Sequence, residues 1–319
     1  MDDFENIYGQ DLAIQILKSS ISKKHISPAY LFSGPEGVGR KKTAKIFIKA
    51  ILDRNSDKGS TTRKIESNNH PDLLWIEPSY ILQGKIISQG KAKLENITIK
   101  SPPQIRLNQI KEIIEFLGKK PFESEYSIVI IEDIEKMNES ASNALLKTLE
   151  EPNKGLFILL TQRPEKLLST IRSRCQIVPF VRLHDNEVDK IIQKLEIFDE
   201  INKIPSEIIQ ELITFSDGSP GQYLTNLKYW LDVSSALKEK LEIKLTNKIE
   251  ALKLAKEITD ELNIEQQLWF INFQQNKIWD KESNLNIIKK LEDLRIQLLT
   301  YVQPRLAWEV TLLEINFSN

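Results

Sequence analysis

Between a short apolar run, residues 29–32, and a helix-like run, residues 43–52, lies Ser33-Gly34-Pro35-Glu36-Gly37-Val38-Gly39-Arg40-Lys41-Lys42. Strand, glycine-rich turn and helix together form the setting of a phosphate-binding loop. Glycines let backbone N–H groups converge, and the helix N-terminus favours an anion. The chain has 11 glycines in 319 residues, and Gly34, Gly37 and Gly39 fall within six positions, so the turn is a concentrated feature rather than background. The full pattern GxxxxGK[ST] also asks for a Lys reaching the β/γ-phosphates and a hydroxyl on Mg²⁺. Those two places hold Arg40 and Lys41. The loop predicts a P-loop fold with an altered site: the glycines are there and the chemistry is not.

Composition bounds what can surround that loop. The length allows about two or three domains. A composition of 40% hydrophobic and 28% charged residues describes an ordinary soluble chain. Forty-four basic residues against 45 acidic ones give a net charge of −1, so no global positive field advertises nucleic acid, and any DNA contact is local or shared with partners. The single cysteine, Cys175, excludes an internal disulfide framework and fits a reducing, cytoplasmic setting. The acidic start, Met1-Asp2-Asp3-Phe4-Glu5, predicts no secretory leader. No apolar run approaches the ~20 residues of a membrane span. His25, His70 and His184 are scattered, and with one cysteine they make no metal set.

The first part of the chain alternates strand-like and helix-like runs. Ala13, Ile14, Leu17 and Ile21 give residues 10–22 a helical stripe. Residues 53–69 are polar and predict a surface loop, residues 73–76 a short strand, and residues 79–100 a hairpin or a mobile insertion. Ile110, Ile113, Ile114 and Leu117 form the apolar face of the next helix. Residues 127–131 are the continuous β-branched run of a strand buried on both faces, and Glu132-Asp133 closes it. Acidic residues there suit Mg²⁺ in P-loop enzymes, although a solvated strand end reads the same way. A helix over residues 140–151, with Leu145, Leu146 and Leu149 on one side, stops before Pro152. A fourth strand over 156–160 ends at Thr161-Gln162, a short helix spans 164–173, and a fifth strand spans 176–180. The order predicts an α/β domain with a parallel five-stranded sheet covered on both faces.

Several of these segments together carry a resemblance. Ile7-Tyr8-Gly9-Gln10, the run from Ala29 to Arg40, His70-Pro71-Asp72-Leu73, the run from Asn143 to Pro152, and Ser173-Arg174-Cys175 are similar to bacterial clamp-loader subunits of DNA polymerase III. These are AAA+ proteins, and the combination most resembles the delta-prime kind over nearly the whole chain. The resemblance implies an AAA+ P-loop domain at 1–181, a small helical lid at 182–227 and an all-α collar at 228–319. It also implies a hetero-pentameric ring with gamma/tau and delta subunits, acting on the sliding clamp and primer-template DNA in the cytoplasm, away from membranes.

The gamma/tau subunits share most of these segments, so the nucleotide site separates an ATP-hydrolysing subunit from a non-hydrolysing one. Active members carry Lys and then Ser or Thr where this chain has Arg40 and Lys41. The planar fork of Arg does not replace an ammonium at a tight phosphate, and Lys41 cannot ligate Mg²⁺. The Walker B pair is inverted at Glu132-Asp133. The sensor 1 place falls at Thr161 or Gln162. In Gly218-Ser219-Pro220-Gly221, the sensor 2 segment, Gly221 stands where active members have Arg. The resemblance therefore implies no ATP hydrolysis and no required cofactor, and it leaves ATP binding open. It assigns Arg174 the role of an arginine finger in a neighbour's ATP site; read from the residues alone, Arg174 is a cation near a helix C-terminus. Many relatives place a four-cysteine zinc module in the region matching 52–69, which has no cysteine here. Cys175, leading into an apolar strand, reads as a small buried hydrophobe.

Beyond residue 181 the pattern is helical. Val188, Ile191, Ile192 and Leu195 form one stripe, and Ile208, Ile209, Leu212 and Ile213 form another. Trp230, Trp269, Trp279 and Trp308 offer large surfaces for burial. A final helix opens at Pro304, with Leu306, Val310 and Leu313 as its apolar face. Lys23, Lys24, Lys41 and Lys42 read as solvated surface lysines.

Overall fold

A computed structural model describes residues 2–52, 58–67, 69–95, 97, 99, 101–151, 155–194, 204–242, 245, 247–281, 284–300 and 302–317. The chain divides into two compact units, residues 1–191 and 192–319.

The first unit is built on a five-stranded sheet. Its strands are β1 (Ala29–Ser33), β2 (Leu73–Ile76), β5 (Ser127–Ile131), β6 (Gly155–Thr161) and β7 (Gln176–Pro179), in the order β2-β5-β6-β1-β7. All four pairings are parallel. Parallel strands joined by helices are covered on both faces, and β5 and β6 are buried along their whole lengths. On one face Leu31, Val129, Ile131, Phe157 and Leu159 pack with helix α5 (Leu107–Leu117) and helix α6 (Glu139–Glu150) through Ile110, Ile113, Ala141, Leu145 and Leu149. Tyr30, one residue along β1, meets Phe47 of helix α2 (Arg40–Leu52) edge-on, with ring centroids 5.1 Å apart. Ser33 pairs with Thr161 and with Pro179, and Ile131 pairs with Leu159. That register brings the C-terminal ends of the strands to one edge, where open α/β sheets bind ligands.

Residues 79–95 hold an antiparallel hairpin, β3 (Ser79–Leu82) with β4 (Lys85–Ser88), followed by the short helix α4 (Gln89–Leu94). Gln83 and Gly84, both at positive φ, make its two-residue turn. The hairpin alternative is therefore the one adopted; positions 96, 98 and 100 of the expected 79–100 segment lie outside the described residues. The surface-loop expectation for 53–69 needs correction over its described part, because helix α3 (Lys58–Glu66) lies there. The single helix expected over 164–173 is a 3-10 turn, Pro164–Lys166, followed by helix α7 (Ser169–Arg172). Ile114 is exposed, so the buried stripe of α5 is narrower than its apolar pattern.

The second unit is helical over Ser206–Phe215, Pro220–Asp232, Ser235–Glu242, Lys248–Glu261, Ile264–Lys281, Leu285–Leu299 and Pro304–Phe317. The expected lid–collar division at 227/228 falls inside the second of these. Trp269 stacks on Phe273 at 5.4 Å, and its indole N–H donates to Asn226 Oδ1 at 3.0 Å. The indole N–H of Trp308 donates to Gln267 Oε1 at 3.0 Å. Buried Trp side chains need such partners. Two expectations fail here. Trp279 is 58% exposed rather than buried. The final helix turns Ala307, Trp308 and Thr311 inward, leaving Leu306 and Val310 exposed. Leu195 of the expected stripe lies outside the described residues.

Candidate functional site

At the shared strand edge a cleft of about 420 Å³ opens between the glycine-rich turn and the ends of β5 and β6. Gly37, Gly39, Arg40 and Lys41 line one side, and Glu132, Asp133 and Gln162 another. Gln89 and Gly90 of the hairpin segment, with Glu77 and Pro78, close a third.

The backbone of the loop keeps a phosphate-cradle shape. Gly37 and Gly39 have φ of 74° and 100°, values that favour glycine. Gly34 sits so close to β7 that an added Cβ would lie 2.3 Å from the Phe180 carbonyl oxygen. The buried side chain of Gln10 ties this turn down. Its amide donates to the carbonyls of Val181 (2.7 Å) and Val38 (3.4 Å), and its oxygen accepts the Val181 N–H (3.0 Å).

The side chains have a different design. Arg40 is buried, and its Nη1 has no hydrogen-bond partner. Burial lowers the pKa of its guanidinium, while Asp133, Glu135, Glu36 and Glu132 pull the other way. Its positive charge therefore faces carboxylates of its own chain. The Lys41 ammonium lies 2.6 Å from Glu132 Oε1, an oxygen that also accepts the Trp75 indole N–H. Lys41 and Lys45 approach the Trp75 ring at 5.0 and 5.5 Å from its centroid. In P-loop NTPases the loop hydroxyl and the Walker B carboxylate meet through Mg²⁺. Here the corresponding positions meet directly, as cation and carboxylate. An ammonium paired at that spot, although its side chain is half exposed, repels a metal ion and competes for its carboxylate ligand, so the side chains present are not the ones that hold a Mg²⁺-nucleotide in P-loop enzymes.

The other site residues fall in separate places. Asp133, in a left-handed conformation at φ 45°, is paired with Lys136 at 2.7 Å; Lys136 also donates to Gln89 Oε1 at 3.3 Å. Thr161 is fully buried and its hydroxyl accepts the Arg163 N–H at 3.1 Å, so Gln162 is the residue of that pair lining the cleft. Gly221 belongs to the second unit, in the first turn of Pro220–Asp232, where Ser219 caps the helix by accepting the Gln222 N–H at 3.1 Å. Arg174, just past α7, does not line the cleft of its own chain. Its Nη2 lies 2.6 Å from Glu150 Oε1, and its Nη1 donates to the Thr170 carbonyl at 2.9 Å. The Cys175 thiol donates to the Ile171 carbonyl at 3.2 Å, and burial pushes its pKa up to about 12. Among the described residues no group of three or more His, Cys, Asp or Glu forms a metal-ligand set, and no helix is long and apolar enough to cross a membrane.

Sequence reasoning missed Gln10 as the tether of the loop, Trp75 as the platform under Lys41, and Gln89–Gly90 as a wall of the cleft. Gln10 lay within a segment carrying the family resemblance; the other two had no local signal.

The profile of the family described as "DNA polymerase III, delta subunit" matches residues 9–184, and that of the "Cyanobacterial DNA polymerase III delta prime, C-terminal domain" matches residues 186–315. DNA polymerase III subunit delta' of Bacillus subtilis is 33% identical over 192 residues, covering 58% of this chain and 52% of that protein. Subunit tau of the same organism is 28% identical over 287 residues, covering 86% of this chain and 46% of that protein. The chain thus spans about half the length of these relatives. A gamma subunit-related DNA polymerase III protein of Thermotoga maritima has a similar fold, with a TM-score of 0.50 at 17% identity over 94% of this chain and 97% of that one. With the first profile covering more than half of its residues and the second most of the remainder, the chain belongs to the DNA polymerase III delta subunit family and carries a C-terminal domain of the delta-prime type.

Proposed function

We propose that this chain is a delta-prime-like clamp-loader subunit that does not hydrolyse ATP and instead supplies Arg174 in trans to a neighbour's nucleotide. The observation that carries this reading is the Lys41–Glu132 ion pair, 2.6 Å long, in the place of the metal. Arg40, turned among Glu36, Glu132, Asp133 and Glu135, supports it, because those carboxylates draw its guanidinium toward its own chain. The proposed partners are gamma/tau and delta subunits in a hetero-pentameric ring, with the sliding clamp and primer-template DNA engaged through that ring, in the cytoplasm. The three-part division into AAA+ domain (1–181), lid (182–227) and collar (228–319) belongs to the same proposal. Titration of the isolated chain with Mg²⁺-ATP in a calorimeter tests it. The expected result is no binding heat at millimolar nucleotide and no phosphate release.

The second reading is an ATP-hydrolysing gamma/tau-type subunit, favoured by the match to tau over 86% of the chain. Micromolar binding with steady turnover by the isolated chain would establish it in place of the first.

A further inference from the structure

We infer that Glu150 is a positioning residue for Arg174: it holds the guanidinium in place in the free chain and yields it to the phosphates of a neighbouring chain's nucleotide. The inference rests on reading Arg174 as a finger in trans.

Glu150 is the last residue of α6, at the negative end of the helix dipole, where a carboxylate is unfavourable. The Arg174 guanidinium at 2.6 Å offsets that placement. Arg174 is held from a second side by the Thr170 carbonyl of α7. The residue next to Glu150, Leu149, and the residue next to Thr170, Ile171, are buried in the same core cluster. The backbone behind each anchor is therefore held by the core, and two of the five N–H donors of the guanidinium are engaged before any partner arrives. A long, rotamer-rich side chain held this way has already given up much of the freedom that engaging a phosphate would cost it.

The hold is also weak enough to release. The side chains of Arg174 and Glu150 are 35% and 51% exposed, and ion pairs this open to water are easily broken. Glu150 offers one charge to one N–H, whereas a polyphosphate offers more charge and oxygens spaced for a bidentate grip. Exchange of carboxylate for phosphate is therefore downhill, and it begins from a guanidinium already in position.

The test uses the chain assembled with its partner subunits, with steady-state ATP turnover per assembled ring resolved into kcat and KM. Arg174→Ala is expected to lower kcat at least ~10-fold. Glu150→Ala should lower kcat about 3–10-fold with KM unchanged, Glu150→Gln, which keeps an acceptor oxygen, should recover most of that loss, and the double variant should be no slower than Arg174→Ala. Wild-type kcat in Glu150→Ala, beside a slow Arg174→Ala, overturns the role of Glu150 alone. A Glu150→Ala loss that Gln does not recover, or that adds to the Arg174→Ala loss, overturns it as well. Unchanged turnover in Arg174→Ala overturns the finger and this inference together.

Discussion

Lys41 Nζ and Glu132 Oε1 are 2.6 Å apart, on the helix that follows the glycine-rich turn and at the end of the central strand β5. An ATP-dependent relative needs a metal at this junction, and this chain places a side-chain cation there. The substitution is testable by reversal. The double variant Arg40→Lys, Lys41→Thr restores the ammonium and the hydroxyl while leaving the loop backbone intact. It should acquire Mg²⁺-dependent nucleotide binding, seen as a rise in Tm when Mg²⁺-ADP is added. A ligand at ten times its Kd stabilises by about 1.4 kcal/mol, or roughly 3–6 °C for a domain of this size. The wild-type chain should show no shift. A double variant equally indifferent to nucleotide would place the defect elsewhere in the cleft.

Gly34 and Gly39 separate two reasons for a glycine. At Gly34 a Cβ meets the Phe180 carbonyl at 2.3 Å, and the obstacle is backbone just past the end of the edge strand β7. At Gly39 nothing lies within 4 Å, and only the φ of 100° opposes a side chain. Gly39→Ala should cost about 1–3 kcal/mol from backbone strain alone. Gly34→Ala should cost more than ~4 kcal/mol, an exceptional loss that requires a steric conflict with fixed backbone. Chemical denaturation of both variants checks the order. Equal losses would show that β7 can move away from the turn.

The parts of this molecule that were legible from sequence share a physical reason. Parallel strands buried on both faces must be apolar throughout, so β5 and β6 stood out as unbroken runs. The turn was legible because glycines mark conformations other residues avoid. Helix α3 was not, because Lys58–Glu66 has no repeating apolar stripe; it rests on buried Ile65 and on Lys64 reaching Glu123 at 2.8 Å. In the final helix two faces competed. Leu306 and Val310 have helical spacing, but Trp308 offers the larger buried surface and takes the inward side. The pairing of Lys41 with Glu132 was invisible for another reason: it depends on the register of β1, β6 and β5, which no local pattern encodes.

Cys175 yields a prediction about reactivity. Its thiol, pushed up to about 12 by burial and donating to the Ile171 carbonyl, is almost entirely protonated at pH 8. Because the thiolate is the reactive form, the native chain should react with iodoacetamide far more slowly than the same chain in denaturant, by a factor of about 10² or more from the pKa difference alone. Mass spectrometry of timed samples measures this. Labelling at the denatured rate under native conditions would contradict the burial of the thiol.

Asp72 organises the loop before β5. Its carboxylate accepts the backbone N–H groups of Phe122, Glu123 (2.7 Å) and Ser124 (2.8 Å), while its own N–H donates to His70 Nδ1 at 3.1 Å. Burial raises the Asp72 pKa, but these hydrogen bonds outweigh it and hold the carboxyl below its ordinary value. Burial also keeps the His70 imidazole below its usual pKa, although Asp72 and Glu123 pull it upward. Both folded-state values are depressed, so each group contributes stability above its unfolded pKa and loses it as pH falls through the folded one. His70 should begin to cost stability below about pH 6.5, and Asp72 below about pH 4. Asp72→Asn, which trades the carboxylate's charge for an amide, should destabilise by about 2–3 kcal/mol at pH 7 and flatten the lower part of the acid limb. His70→Gln should flatten the upper part, because it removes the group that must take up a proton there. Urea midpoints from pH 8 to pH 3 for the three proteins separate the two contributions. If stability rose on acidification between pH 6.5 and pH 5, the imidazole would be gaining a partner when charged, and Glu123, 3.7 Å from Nε2, would be the group supplying it.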